Sequence, residues 1–174
     1  MNIPNALTLL RILVIPPFLY FYLFFPTHGE KIALIFFLFS GITDLMDGFI
    51  ARKLDQVTKI GTILDPLADK MVLISVLTVF VIKNKIEAWI LLVMFLKELL
   101  MILGAFYLYN GKKEIIPANV LGKVSTALFY AAGFSVIINL PVGYSMIVLF
   151  LVFNFVSTFF YFLKFITIRK EFNR

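Results

Sequence analysis

The chain has 174 residues, 61% of them hydrophobic, with a mean hydropathy of +1.00, whereas soluble globular domains are about 45–50% apolar. The absence of cysteine excludes disulfides, iron–sulfur clusters and thiolate zinc sites, and the single histidine, His28, falls beside Thr27, Gly29 and Glu30 as a solvated turn residue. A net charge of +6 would suit nucleic acid in a soluble protein, but in so apolar a chain it belongs to loops on the cytoplasmic side of a membrane, where Lys and Arg gather.

Six apolar runs approach or exceed the roughly 20 residues that cross a bilayer. They predict helices at about 9–25, 32–52, 62–82, 87–109, 120–140 and 144–166. The runs are continuous rather than alternating, so a β-barrel is excluded. Breaks fall at Pro26 and Gly29, at Gly61, at Asn84, at Asn110 and Gly111, and at Pro141 and Gly143. The expected fold is all-α and membrane-integral: six transmembrane helices in a single domain over residues 1–174, with a polar cavity facing the cytoplasm. No cleavable leader is evident, because the first run is interrupted by proline and lacks a clear small-residue cleavage site.

The first run opens with "NIPNALTLLR". Asn5, Thr8 and Arg11 follow one another at intervals of three and can share a helix face, although Asn5 and Thr8 would also serve as helix caps. The second and third runs hold the stretch "DLMDGFIARKLDQVTKIGTILDPLADK", with five of the ten acidic residues. Asp44 and Asp47 are three apart, and Asp65 and Asp69 are four apart, so each pair shares a helix face. A short loop joins the two helices, which are expected to face their carboxylates across one seam. Asp55 is read as loop solvation.

Four carboxylates in apolar surroundings repel one another and are costly unless paired. A divalent cation is the simplest remedy, and an all-oxygen donor set suits Mg²⁺, Mn²⁺ or Ca²⁺. Four carboxylates suffice for two ions, an arrangement common in phosphoryl displacement. Gly48, Ala51 and Gly61 are small and leave room beside the acids, and Arg52 can meet a phosphate.

The fourth run carries Lys97 and Glu98 within "LKELL", far from either end, and the fifth opens with "LGKVST", which supplies Lys123. Arg11, Lys97 and Lys123 are therefore candidates for an anionic substrate. Placing both termini on one side with loops 53–61 and 110–119 gives ten basic residues there: Arg52, Lys53, Lys59, Lys112, Lys113, Lys123, Lys164, Arg169, Lys170 and Arg174. The other side has only Lys31, Lys83 and Lys85, so the first side is cytoplasmic. A cation pathway would also bury carboxylates, but no inverted repeat is visible and the acids lie near one face.

The pattern Asp44-x2-Asp47-Gly48-x2-Ala51-Arg52-x8-Gly61-x3-Asp65-x3-Asp69 resembles the signature of the CDP-alcohol phosphatidyltransferases at all eight fixed positions. The resemblance implies a six-helix, dimeric membrane enzyme that transfers a substituted phosphoryl group from a CDP-linked lipid to an alcohol and releases CMP. It implies two divalent cations, Mg²⁺ or Mn²⁺, held by Asp44, Asp47, Asp65 and Asp69. Asp69 would also be the general base, and Gly48, Ala51, Arg52 and Gly61 would shape the site for the CDP-diacylglycerol donor.

The N-terminal opening resembles that of the phosphatidylglycerophosphate synthase branch, whose acceptor is glycerol 3-phosphate. That acceptor would be met by Arg11, Lys97, Lys123, Asn5 and Thr8. Two departures are Lys97 where that branch carries Arg and Ser125 where it carries a second Lys. The segment "ILGAFYLY" is more similar to the CMP-releasing cardiolipin synthases, whose acceptor is phosphatidylglycerol, so that alternative stays open. The resemblance further implies a bacterial inner-membrane protein with its active site and both termini cytoplasmic, membrane lipids as neighbours, a second copy of the chain as partner, and no nucleic acid.

Overall fold

The computed structural model describes residues 3–25, 27–53, 61–109 and 120–172, of which Ile3, Pro4, Gly48, Phe49, 51–53, Thr62, Ile63, 103–109, Val120, Tyr161 and 164–172 are described by backbone alone. These residues form six helices: α1 Ile3–Phe24, α2 Gly29–Lys53, α3 Gly61–Ile82, α4 Ala88–Tyr109, α5 Val120–Ile137 and α6 Gly143–Phe172. No strand occurs among the described residues.

The helices fall on the expected apolar runs, with differences at three ends. α1 begins at Ile3, so the polar Asn5 and Thr8 are helical residues rather than an entry segment. α6 continues to Phe172, past the end of the apolar run. α5 ends at Ile137, earlier than Pro141 suggested. Its end is set by Asn139, whose φ of 60° is left-handed. Asn139 N–H donates to the Val136 carbonyl and Leu140 N–H to the Ser135 carbonyl, at 3.1 and 2.9 Å. Asn84 (φ 53°) ends α3 in the same way, with Asn84 N–H on Val81 and Lys85 N–H on Phe80. This paired capping consumes carbonyls a helix end leaves open, and Asn tolerates the left-handed position better than most residues.

Those two turns meet at one end of the bundle. Lys85 donates to the Asn139 side chain, Asn139 donates to Glu30 at 3.0 Å, and Lys85 lies 3.9 Å from Glu30. Lys83 reaches the Leu23 carbonyl nearby, at 3.1 Å. Asp47 is 17 residues along α2 from Glu30, about 26 Å at 1.5 Å per residue. The aspartates therefore sit at the opposite end. His28 is an exposed turn residue, as expected.

The core is aromatic and aliphatic. Phe18, Tyr22, Phe37, Val76, Phe80, Met94, Phe129 and Phe150 are all buried in one cluster. α2 and α5 approach closely through two reciprocal contacts. Phe37 packs over Gly133, where a Cβ would lie 2.4 Å from the ring, and Tyr130 packs over Gly41, where it would lie 2.9 Å away. The two rings themselves stand 5.1 Å apart. Small residues of this kind let helix backbones come together without any hydrophobic drive from lipid.

The outside of the bundle is apolar. Leu13, Phe24, Ile35, Leu45, Leu100, Phe159 and Phe162 are all exposed. Among the described residues, the stretches Asn5–Phe24 and Gly143–Phe160 are long and apolar enough to cross a membrane. α2 and α3 are of comparable length, but they carry the acids.

Candidate functional site

α1 packs along both α2 and α3, whereas α2 and α3 share no extended interface among the described residues. The α2–α3 seam expected from sequence is a three-helix arrangement, in which α1 brings a cation and a hydroxyl to aspartates that meet from α2 and α3, the Asp44 side chain reaching that of Asp69. Carboxylates that meet in this way repel one another, and the cation offsets the repulsion.

The cation is Arg11, whose side chain is fully buried. One terminal nitrogen of its guanidinium lies 3.0 Å from Asp44 Oδ1 and also donates to Asp69 Oδ1. The other donates to Asp47 Oδ2. Thr8, one turn earlier on α1, donates its hydroxyl to Asp65 Oδ1. All four aspartates are thus gathered by two α1 residues three positions apart, which a helix places on one face. Asn5 lies one turn further along the same stripe and is half-buried.

The carboxylates differ in access. The Asp47 side chain is 8% exposed, that of Asp44 19%, and that of Asp69 51%. Asp69 is thus the member of this set open to a reacting molecule. Among the described residues no three carboxylates close to metal-ligand spacing. The positive charge at their convergence is the guanidinium. The chemistry of the donors is nevertheless that of a hard divalent cation site: three carboxylates around one guanidinium, with a fourth beside them on Thr8.

Gly48, Ala51 and Arg52 lie on the last turns of α2, immediately after Asp47, where the backbone is helical to Lys53. Gly61 is the buried first residue of α3. Asp55, Lys59 and the segment 110–119 with Lys112, Lys113 and Glu114 lie outside the described residues.

A second polar group lies in the interior. Lys97 Nζ donates to Glu98 Oε1 and to Asn154 Oδ1, both at 2.6 Å. Glu98 Oε2 lies 3.2 Å from Lys70 Nζ, and Asn154 Nδ2 donates to Ser125 Oγ at 3.1 Å. The chain Lys70–Glu98–Lys97–Asn154–Ser125 joins α3, α4, α5 and α6, and it begins one residue from Asp69.

The structure divides the residues expected to meet an acceptor. Thr8 and Arg11 join the aspartates, and Lys97 joins this second group. Lys123 is exposed, two residues before the buried Ser125 and so on the other side of α5. Lys70, Ser125 and Asn154 were not singled out as site residues from sequence. Asn154 carried one signal, a carboxamide inside the Phe-rich run of α6.

An all-helical bundle with an apolar exterior and a buried acidic centre at one end defines a membrane-associated protein built around polar chemistry. Comparison with known proteins defines it further. The CDP-alcohol phosphatidyltransferase profile matches residues 1–161. A Bacillus subtilis CDP-diacylglycerol–glycerol-3-phosphate 3-phosphatidyltransferase is 35% identical over 153 residues, covering 80% of this chain and 79% of its own. The Aquifex aeolicus protein of the same name is 37% identical over 128 residues, 72% and 70% of the two chains. A Mycobacterium tuberculosis protein provisionally named a cardiolipin synthase is 30% identical over 126 residues, 72% of this chain and 59% of its own. The chain belongs to the CDP-alcohol phosphatidyltransferase family, and it is a transferase.

Proposed function

We propose that the chain transfers the phosphatidyl group of CDP-diacylglycerol to sn-glycerol 3-phosphate, yielding phosphatidylglycerophosphate and CMP. The observation that carries this reading is the gathering of Asp44, Asp47, Asp65 and Asp69 about Arg11 and Thr8 at one end of the bundle. Relatives named for this reaction, matched over most of their length, support the choice of acceptor.

Asp44, Asp47, Asp65 and Asp69 would hold two divalent cations, Mg²⁺ or Mn²⁺. When bound, such ions neutralise phosphoryl oxygens and acidify a hydroxyl at neutral pH. The work of the chain's own residues is positional and acid–base. Gly48, Ala51, Arg52 and Gly61 cradle the cytidine diphosphate, with Arg52 against phosphate. Lys97 draws the acceptor's phosphate, whereas Lys123, on the other side of α5, is left out of this contact. Asp69 takes the proton of the acceptor hydroxyl as its oxygen bonds to the phosphorus next to diacylglycerol. The bond from that phosphorus to the bridging pyrophosphate oxygen breaks, and CMP leaves with the electron pair. The greater exposure of Asp69 relative to Asp44 and Asp47 supports this division of labour. Asn5, Thr8 and Arg11 hold the α1 side of the site.

The reading includes one transfer domain over residues 1–174, six membrane spans, a homodimer in a bacterial inner membrane, and a site and termini on the cytoplasmic side. The ten-to-three distribution of basic residues supports that orientation. Phosphatidylglycerol as acceptor is the second reading, favoured by the mycobacterial relative. The test is CMP release by purified protein given CDP-diacylglycerol and Mn²⁺, with either glycerol 3-phosphate or phosphatidylglycerol. Release with glycerol 3-phosphate is expected. Release with phosphatidylglycerol alone would overturn the assigned acceptor.

A further inference from the structure

The interior chain Lys70–Glu98–Lys97–Asn154–Ser125 has a charge balance that bears on the acceptor. Glu98 is shared, one oxygen 2.6 Å from Lys97 Nζ and the other 3.2 Å from Lys70 Nζ. Two ammonium groups therefore share one carboxylate, leaving one surplus positive charge. Asn154 and Ser125, which complete the chain, are neutral.

The orientation of Asn154 follows from chemistry. An ammonium only donates, so the amide must turn its oxygen to Lys97 and its NH₂ to Ser125 Oγ. Ser125 is buried and fixes that rotamer from α5. The arrangement occupies two of the three Lys97 donors and holds the ammonium between α4 and α6. Among the described residues these two are its hydrogen-bond acceptors, and the third donor can meet a ligand oxygen. A carboxylate at position 154 would hold Lys97 equally well, but it would cancel the surplus charge.

We propose that Asn154 is a positioning and specificity-determining residue for the acceptor. Its neutral carboxamide, locked by Ser125, orients Lys97 towards an acceptor phosphate without neutralising it. This rests on the reading of Lys97 as an acceptor-phosphate residue.

The experiment compares Asn154→Asp, Ser125→Ala and Lys97→Met with the unaltered protein, measuring kcat, KM for acceptor, KM for CDP-diacylglycerol and the melting temperature in detergent. Each is assayed with glycerol 3-phosphate and with phosphatidylglycerol, which share the phosphate chemistry. Asn154→Asp keeps the bond to Lys97 and is expected to melt no lower than wild type. Its KM for the acceptor should rise about tenfold, equivalent to about 1.4 kcal/mol, with kcat and KM for CDP-diacylglycerol within about twofold. Ser125→Ala should raise acceptor KM by about threefold, equivalent to about 0.7 kcal/mol, because the amide loses its lock.

An unchanged acceptor KM in Asn154→Asp, or equal rises for both substrates, overturns the proposal. If Asn154→Asp yields no folded protein, an unchanged acceptor KM in Ser125→Ala overturns it. Lys97→Met separates the underlying reading. If it too leaves acceptor KM unchanged, the role of Lys97 fails and the Asn154 proposal fails with it. If Lys97→Met raises acceptor KM while Asn154→Asp does not, only the Asn154 proposal fails.

Discussion

Replacing Arg11 by methionine keeps a long side chain in α1 and removes the charge that gathers the aspartates. The magnitude follows from the burial of each partner. Asp69 is half exposed, so solvent screens its pair with Arg11 and that pair contributes least of the three. Asp47 is almost wholly buried, and stranding one partner of a buried ion pair costs about 3–5 kcal/mol. Asp44, between these extremes, adds repulsion towards the other two. The expected loss is about 3–5 kcal/mol, dominated by Asp47. For a chain of this length that corresponds to a fall in melting temperature on the order of 10 °C. Circular dichroism at the helix band, in detergent with EDTA, measures it. Mn²⁺ should then restore the variant by more degrees than it raises wild type, because no guanidinium competes for the same oxygens. The double variant Arg11→Met, Asp47→Asn should melt higher than Arg11→Met alone, since neutralising Asp47 removes the stranded charge. A variant that melts within about 2 °C of wild type in EDTA refutes the reasoning, as does one whose melting temperature Mn²⁺ leaves unmoved.

Asp69→Asn retains size and hydrogen bonding but cannot accept the acceptor's proton. CMP release should fall by about 10²–10⁴-fold, with the melting temperature close to wild type; activity within tenfold would remove Asp69 as the base. Gly133→Ala places a methyl against the Phe37 ring, 2.4 Å from its nearest atom, and should cost about 1–3 kcal/mol. Adding Phe37→Leu should recover part of that loss in thermal melts, and additive losses in the double variant would refute the packing explanation.

The grouping of the aspartates was legible because its constraints are local. Spacings of three and four put Asp44 with Asp47, and Asp65 with Asp69, on single helix faces, whatever lies around them. The helices were legible from length and apolarity for the same reason. Their ends were less so. Pro141 drew attention as the stop of α5, but Asn139 ends it, because a left-handed capping residue acts through a carbonyl several positions earlier. Tertiary order was least legible. A short loop between α2 and α3 suggested one shared seam, yet both helices pack chiefly on α1, while their Asp44 and Asp69 side chains still meet.

The clue to that order was Arg11, the one charge in an otherwise apolar α1. A fully buried guanidinium in such a helix requires carboxylate partners, and the surplus of acids was in α2 and α3. Pairing the scarce cation with the clustered anions leads to the observed arrangement more directly than assigning it to an anionic acceptor. Lys97 poses the contrasting problem. It has a carboxylate beside it in sequence, but Glu98 is divided with Lys70, and only the fold reveals the division. The two basic residues thus part ways by counting opposite charges: Arg11 faces three carboxylates, whereas Lys97 and Lys70 share one.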